Sequence, residues 1–224
     1  MLDFIYDKEL PDGVSELGKA LFAVTTIGSS SLSVVHRREI IVSKLTQIVE
    51  QRAGAKTRAL CVACGHLREA DALQNLIADH TLEIVALDQD KESLSSVMSR
   101  HRADGVEALH MSIRNLLTSR ADLGSFDAIW SSGLYDYLGT SSARMLTTRL
   151  LGMLRPKGTL ILSNFTHSHY NRAYMEAAMD WRLILRNEEE MLNLVSGVSR
   201  ESLCNVETFL DPFENIAFLS VQRE

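Results

Sequence analysis

The stretch from Ala59 to Leu73, ALCVACGHLREADAL, runs from an apolar segment into a helix-like one with one glycine, Gly65, at the hinge. A strand that ends in Ala63, Cys64 and Gly65 and turns at once into a helix offers the unpaired N–H groups of the helix start to a ligand. Glycine at that point lets the ligand approach the backbone closely. Asp88 follows 23 residues after Gly65, at the end of LEIVALD. A carboxylate there can take both hydroxyls of an adenosine ribose; capping the next helix, DKESLSSVMSR, is the other use of an aspartate at that place. Glu69 either faces the helix N-terminus or reaches a ligand ammonium.

A second group follows the apolar run FDAIWS: Tyr135, Asp136 and Tyr137 in LYDYL. These residues either line a site just beyond a strand, or pack at the sheet edge and cap the helix that begins near Thr140. Further on, NFTHSHYNRAYMEAAMDW supplies His167, His169, Tyr170, Arg172, Tyr174 and Trp181. Helical spacing sets Tyr170, Tyr174, Ala177 and Trp181 on one face and Arg172, Glu176 and Asp180 on another. The usual fate of such faces is core and solvent, yet this stretch leaves the carboxyl end of a strand, where one face can lid a pocket. Cys61 and Cys64 form a C-x-x-C with no second pair and no matching Cys/His group. They read as an apolar strand residue and a turn residue, and no metal is expected.

The elements that must position these residues alternate. Short apolar runs at 58–63, 82–88, 106–111, 126–131 and 159–164 read as buried strands, separated by helix-length segments at 66–79, 91–103, 113–120 and 140–154. Repeated strand, helix, strand means parallel strands joined by right-handed crossovers, hence an α/β doubly wound sheet with its ligands at the carboxyl ends of the strands. The runs 202–210 and 215–222 break the pattern: DPFE between them is too short for a helical crossover, so they close the sheet as an antiparallel hairpin. Ahead of all this, 15–28 and 33–54 read as helices, with GSSSLS (28–33) as a flexible hinge. The expected organisation is a helical cap or interface segment over 1–55 and a sheet domain over 56–224.

Composition narrows the partners. The 224 residues carry 23 basic against 29 acidic side chains, a net charge of −6, with no Lys/Arg cluster to neutralise a phosphate backbone. Nucleic acid is therefore not expected. No uncharged stretch approaches the roughly 20 residues that span a bilayer, and MLDFIYDKELPDG is too acidic for a secretory signal. With three cysteines that cannot all pair within one chain, a cytoplasmic protein without membrane contact is expected. The apolar faces of the leading helices suit either a cover over the pocket or a homodimer interface.

Two cofactors use a turn followed by an acid at such spacing. A dinucleotide lays its pyrophosphate on the helix end and needs the three glycines of G-x-G-x-x-G, whereas CGHLREA puts Leu67 where the second would stand. S-adenosylmethionine (SAM) carries no phosphate and tolerates bulk there. The chain from about 56 to 224 resembles the class I SAM-dependent methyltransferases, whose Rossmann-like sheet has seven strands with the last antiparallel. The residues that carry the likeness are the turn ACGHLRE, Asp88, MSIRN after the third strand, DAIWSSGLYDYL and LRPKGTLIL. The turn departs from the family in having one glycine, and Ser112 stands where the family often has an acid for the adenine amino group.

The resemblance implies cofactor contacts by Ala63, Cys64, Gly65, Glu69, Asp88, Gln89, Ser112, Ile113 and Ser131, with S-adenosylhomocysteine (SAH) as product. Within the family, SGLYDYL, RAYMEAAMDWRLILR and NIAFLSVQR look most like the bacterial extracellular-factor group that makes hydroxy-fatty-acid methyl esters. Methyl transfer is an in-line displacement that depends on positioning and on keeping water out. Tyr135, Asp136, Tyr137 and His167 are the candidate catalytic residues, the base being needed only where the nucleophile carries a proton. Tyr170, Arg172, Tyr174 and Trp181 are the candidate substrate contacts. The expected acceptor is a small molecule, with oxygen of a carboxylate or hydroxyl favoured over nitrogen. An inactive binding protein on the same fold and a nicotinamide-linked oxidoreductase are the alternatives.

Overall fold

The computed structural model describes residues 2–101, 105–118, 123–169 and 171–224. Three helices lead: α1 (Leu2–Asp7), α2 (Glu16–Ile27) and α3 (Ser29–Gln51). The sheet layer follows as β1 (Thr57–Val62), α4 (Glu69–Ala72), α5 (Gln74–Ala78), β2 (Leu82–Asp88), α6 (Lys91–Arg100), β3 (Val106–His110), α7 (Ile113–Thr118), β4 (Phe126–Ser131), α8 (Thr140–Gly152) and β5 (Leu154–Phe165). The chain closes with α9 (Arg172–Ala178), α10 (Glu188–Leu192), β6 (Leu203–Leu210) and β7 (Ile216–Arg223).

The seven strands lie in the order β3-β2-β1-β4-β5-β7-β6. The first five are parallel, and β7 runs antiparallel to both β5 and β6. This is the expected doubly wound sheet with an antiparallel hairpin at its end. Strand alternation divides the core in two: Ala59, Cys61, Ile84, Trp130, Ile161 and Phe218 face α3 to α6, while Leu60, Val62, Leu87, Ile129, Leu160 and Leu162 face α8 and α10. Every one of these strand residues is buried, which is why the runs read as continuous apolar stretches rather than alternating ones.

Three local expectations are corrected. The segment 28–33 is no loose hinge: α3 begins at Ser29, and Ser30, Ser31 and Ser33 are buried within it, leaving Gly28 as the break between two helices that meet at 48°. The single helix expected over 66–79 is two short ones, because the chain needs several turn residues after β1 before α4 can start. The long amphipathic helix expected through Trp181 stops at Ala178, and Asp180 takes a left-handed φ of 47°. Among the described residues no single helix is long and apolar enough to cross a membrane.

The DPFE turn does more than reverse the chain. Asp211 is buried and accepts from the backbone N–H of Ile216 (2.8 Å) and Phe213 (3.2 Å) and from Ser33 Oγ (2.7 Å), which in turn accepts from Asn215 Nδ2 (3.0 Å). α3 is thereby tied to the hairpin across the whole length of the chain. Removing the carboxylate leaves buried donors unpaired, at about 1–3 kcal/mol for such groups. Asp211→Ala should lower the unfolding free energy by about that amount, read as a shift of the urea midpoint at unchanged slope.

Candidate active site

The turn after β1 carries a backbone pattern that its residue types do not advertise. Ala63, Gly65 and Leu67 all take positive φ, at 56°, 50° and 47°. Alternate left-handed residues are what a run of glycines at these places would supply, but here alanine and leucine adopt the conformation at a steric cost. Leu67 is compensated by full burial in the core; Ala63 borders a cavity. The turn is held from the next strand: Gly65 N–H donates to Asp88 Oδ2 (2.8 Å) and Cys64 N–H to the Leu87 carbonyl (3.0 Å). Asp88 also accepts from Asp90 N–H (2.9 Å), and Asp90, not Asp88, caps α6.

This corrects the expectation of a helix start aimed at a ligand. The Gly65 amide is taken by Asp88, and α4 begins four residues later without a side-chain cap. What the turn presents instead is open space, since a side chain at Gly65 would meet nothing within 4 Å.

That space belongs to a cavity of about 680 Å³ at the carboxyl ends of β1, β2 and β4. One wall is Ala63 to Glu69 with Asp88 and Ser93; the opposite wall is Ser132 to Leu134, Asp136, Tyr137, Phe165, Met179 and Trp181. Leu2, Asp3 and Tyr6 of α1 and Val34 and Arg37 of α3 roof it. The contact of Asp3 with His66 Nδ1 (2.9 Å) and the ion pair of Asp7 with Arg68 fasten α1 over the turn. Glu69 is buried and accepts from Ser132 Oγ (2.6 Å), which leaves a carboxylate at the junction of the two walls.

Of the expected site residues, Ala63, Cys64, Gly65, Glu69, Asp88, Asp136, Tyr137 and Trp181 are brought together here. The others do not line this cavity. Tyr135 is fully buried in the core with its hydroxyl on Thr147 Oγ1 (2.9 Å). Ser131 donates to the Val62 carbonyl (2.9 Å) and ties β4 to β1, so it is the next residue, Ser132, that reaches the cavity. Gln89 is exposed, with its carbonyl on His110 Nε2 (3.0 Å). Ser112 accepts from Asn115 N–H (3.2 Å) at the start of α7, and Ile113 packs on the core. His167 pairs with Glu190 (2.8 Å) at the surface, and Arg172 with Glu176 (2.8 Å). Tyr174 lines a small neighbouring pocket, and Tyr170 lies outside the described residues. No trio of His, Cys, Asp or Glu among the described residues could hold a metal ion.

The wall of Asp136, Tyr137 and Trp181 is positioned by residues that periodicity does not reveal. Tyr135 to Tyr137 form one 3-10 turn, so consecutive side chains point in different directions and only the second and third face the cavity. Arg186, buried, clamps that turn by donating to the carbonyls of Tyr135 (2.7 Å) and Leu138 (2.5 Å) and to Asn164 Oδ1 (2.6 Å). Trp181 Nε1 donates to the Tyr137 hydroxyl (2.6 Å) within that wall. Asp136 is buried, accepts from Phe165 N–H (2.7 Å), and has Arg37 Nη1 3.8 Å away.

Burial pushes the Asp136 carboxyl up to about 7, against the opposing pull of Arg37, the Phe165 amide and Arg186. An unfolded aspartate ionises near 4. Between those values the folded chain holds a proton that the unfolded chain has lost. The stabilising contribution of this group is therefore complete below about pH 4 and is lost as pH rises through about 7. Asp136→Asn should gain stability relative to the wild type on going from about pH 5 to about pH 8; equal differences at both pH values in urea unfolding would contradict the assignment. Ala63→Gly relieves the left-handed strain beside the cavity and should raise stability by up to about 1 kcal/mol in the same measurement.

Residues 59–158 match the family model of the methyltransferase domain. No curated protein sequence matches the chain. Among solved structures, a possible exported protein from Bordetella parapertussis superposes with a TM-score of 0.74 at 14% identity, covering 98% of this chain and 77% of that one. Magnesium protoporphyrin IX methyltransferase from Synechocystis with bound SAH gives 0.63 at 13% identity, covering 98% and 93%. The N-methyltransferase NodS from Bradyrhizobium japonicum with bound SAH gives 0.55 at 16% identity, covering 81% and 86%. SAM and SAH are the ligands in solved methyltransferases of this fold. Residues 59–158 thus match the methyltransferase domain, set within a chain that has the methyltransferase fold from its first helices to its last strand.

Proposed function

We propose that this protein is a SAM-dependent methyltransferase of a small-molecule acceptor, methylated on oxygen. The observation that carries the reading is the cavity itself, which joins a cofactor-sized wall, Ala63 to Glu69 with Asp88, to a second wall holding Asp136, Tyr137 and Trp181. The residues fit the cofactor. Gly65 leaves space where a side chain would intrude, and Asp88 keeps lone pairs for ribose hydroxyls beyond the two amides it accepts from. Glu69 suits an ammonium.

Bound SAM supplies a methyl group activated by the positive sulfonium. The chain's own part is to orient and to exclude water. Phe165, Met179, Trp181 and Val34 give the acceptor side apolar walls, and α1 and α3 cover the cavity. Asp136 Oδ1 is held by the Phe165 amide, leaving Oδ2 toward Arg37 and the cavity. With an ionisation near neutrality it is suited to take a proton from an acceptor hydroxyl. Tyr137 and Trp181, joined by their hydrogen bond, stand where an acceptor ring or chain would pack. The lack of any cluster of Lys/Arg in the sequence supports a small molecule over nucleic acid.

Calorimetric titration of SAM, SAH and NADH into the wild type and Asp88→Ala tests the cofactor assignment. The first two should bind and NADH should not, and the variant should lose about tenfold or more in affinity, as expected for hydrogen bonds to a charged group. A folded wild type that binds neither SAM nor SAH would overturn the reading.

A further inference from the structure

Arg37 comes from α3, outside the residues that match the methyltransferase domain, and was no part of the expected site. It lines the cavity while being only 4% exposed. Its Nε and Nη1 are buried and have no hydrogen-bond partner among the described residues. Asp136 is its counter-ion, but at 3.8 Å the contact is an ion pair without a hydrogen bond. Tyr6 engages the guanidinium from α1, and the Phe165 ring lies 5.9 Å from Cζ to its centroid. A side chain at Gly133 would stand 3.7 Å from both terminal nitrogens, so glycine there keeps the approach to the fork open.

A buried guanidinium with unused donors is costly unless an acceptor arrives, and its planar fork matches the two oxygens of a carboxylate. Arg172, the cation among the candidate substrate contacts, is taken by Glu176 at the surface. We propose that Arg37 is the carboxylate receptor of this cavity, binding a ligand carboxylate through its unused N–H donors. The inference rests on the cavity being a SAM site, where two ligands can bring such a group: the amino-acid end of the cofactor, with Glu69 opposite for the ammonium, or an anionic acceptor. Either way α3 is part of the binding site and not only its cover.

The test is calorimetry on wild type, Arg37→Met and Arg37→Lys with two matched pairs of probes. SAH and 5′-methylthioadenosine differ by the amino-acid carboxylate and ammonium; benzoate and benzamide, titrated into SAH-saturated protein, differ by a carboxylate alone. Arg37→Met should lose about tenfold or more for the carboxylate member of one pair while its neutral partner binds as to wild type, and Arg37→Lys should fall between. Loss of the preference for SAH assigns the carboxylate to the cofactor; loss of the preference for benzoate assigns it to the acceptor. A wild type without either preference, or an Arg37→Met variant that keeps whichever preference the wild type shows, overturns the proposal. Wild type that binds neither nucleoside is a failure of the SAM reading instead, and the benzoate and benzamide pair, run without SAH, still decides Arg37. Unchanged binding of the neutral probes shows that each variant is folded.

Discussion

One buried guanidinium sets where the wall of Asp136 and Tyr137 stands. Arg186 follows a stretch without regular structure, yet its three hydrogen bonds, to Tyr135, Leu138 and Asn164, join the loop after β4 to the end of β5. Its own amide donates to the Phe165 carbonyl (2.9 Å), and two residues earlier Ile184 N–H donates to Asp136 carbonyl (2.7 Å). The irregular segment is therefore fastened at both levels to the turn that presents Asp136 and Tyr137. The proposed methyl transfer is acutely sensitive to placement, and an irregular wall could serve it only if it is pinned in this way. The charge on Arg186 is not available for a ligand; it is consumed in holding the scaffold.

The other side of the cavity is organised by strain. Three left-handed residues in five make the chain after β1 double back tightly enough for Asp88 to reach the Gly65 amide. Backbone in that state persists only when its surroundings over-determine it, and here the burial of Leu67 and the bonds from β2 do so. One side is thus held by hydrogen bonds from a distant arginine and the other by packing and a carboxylate. Glu69 and Ser132 join the two, and the roof comes from helices outside the sheet.

Much of this was legible. The buried parallel strands announce themselves as unbroken apolar runs, and DPFE is too short for anything but a hairpin, so the parallel sheet and its antiparallel close are readable, whereas the order of the strands is not. Gly65 and Asp88 were readable because their spacing is imposed by two adjacent strand ends. What was not legible depended on direction rather than identity. Nothing in LYDYL says that Tyr135 points into the core while Asp136 points into the cavity, because a single 3-10 turn has no repeat to read. Trp181 was named through a helix that ends before reaching it, and arrives at the cavity by way of a left-handed Asp180. Arg37 sits on an amphipathic helix, where an arginine ordinarily means solvent, and only the three-dimensional position of α3 reveals it as buried. His167 and Arg172 attract attention by type, but both found partners at the surface.

The bond between Ser33 and Asp211 joins residues 178 positions apart, and Asn215 reaches the same serine from 182 positions away. α3 is seated by a hairpin far along the sequence from it. During synthesis α3 is made long before Asp211 and Asn215, so it can pack on the parallel strands early but gains its buried hydrogen bonds only when the turn between β6 and β7 has followed. The parallel strands can pair and bury their apolar faces earlier. The seat of α3 is therefore completed only after the hairpin of β6 and β7 has been made, later than the parallel strands beneath the cavity.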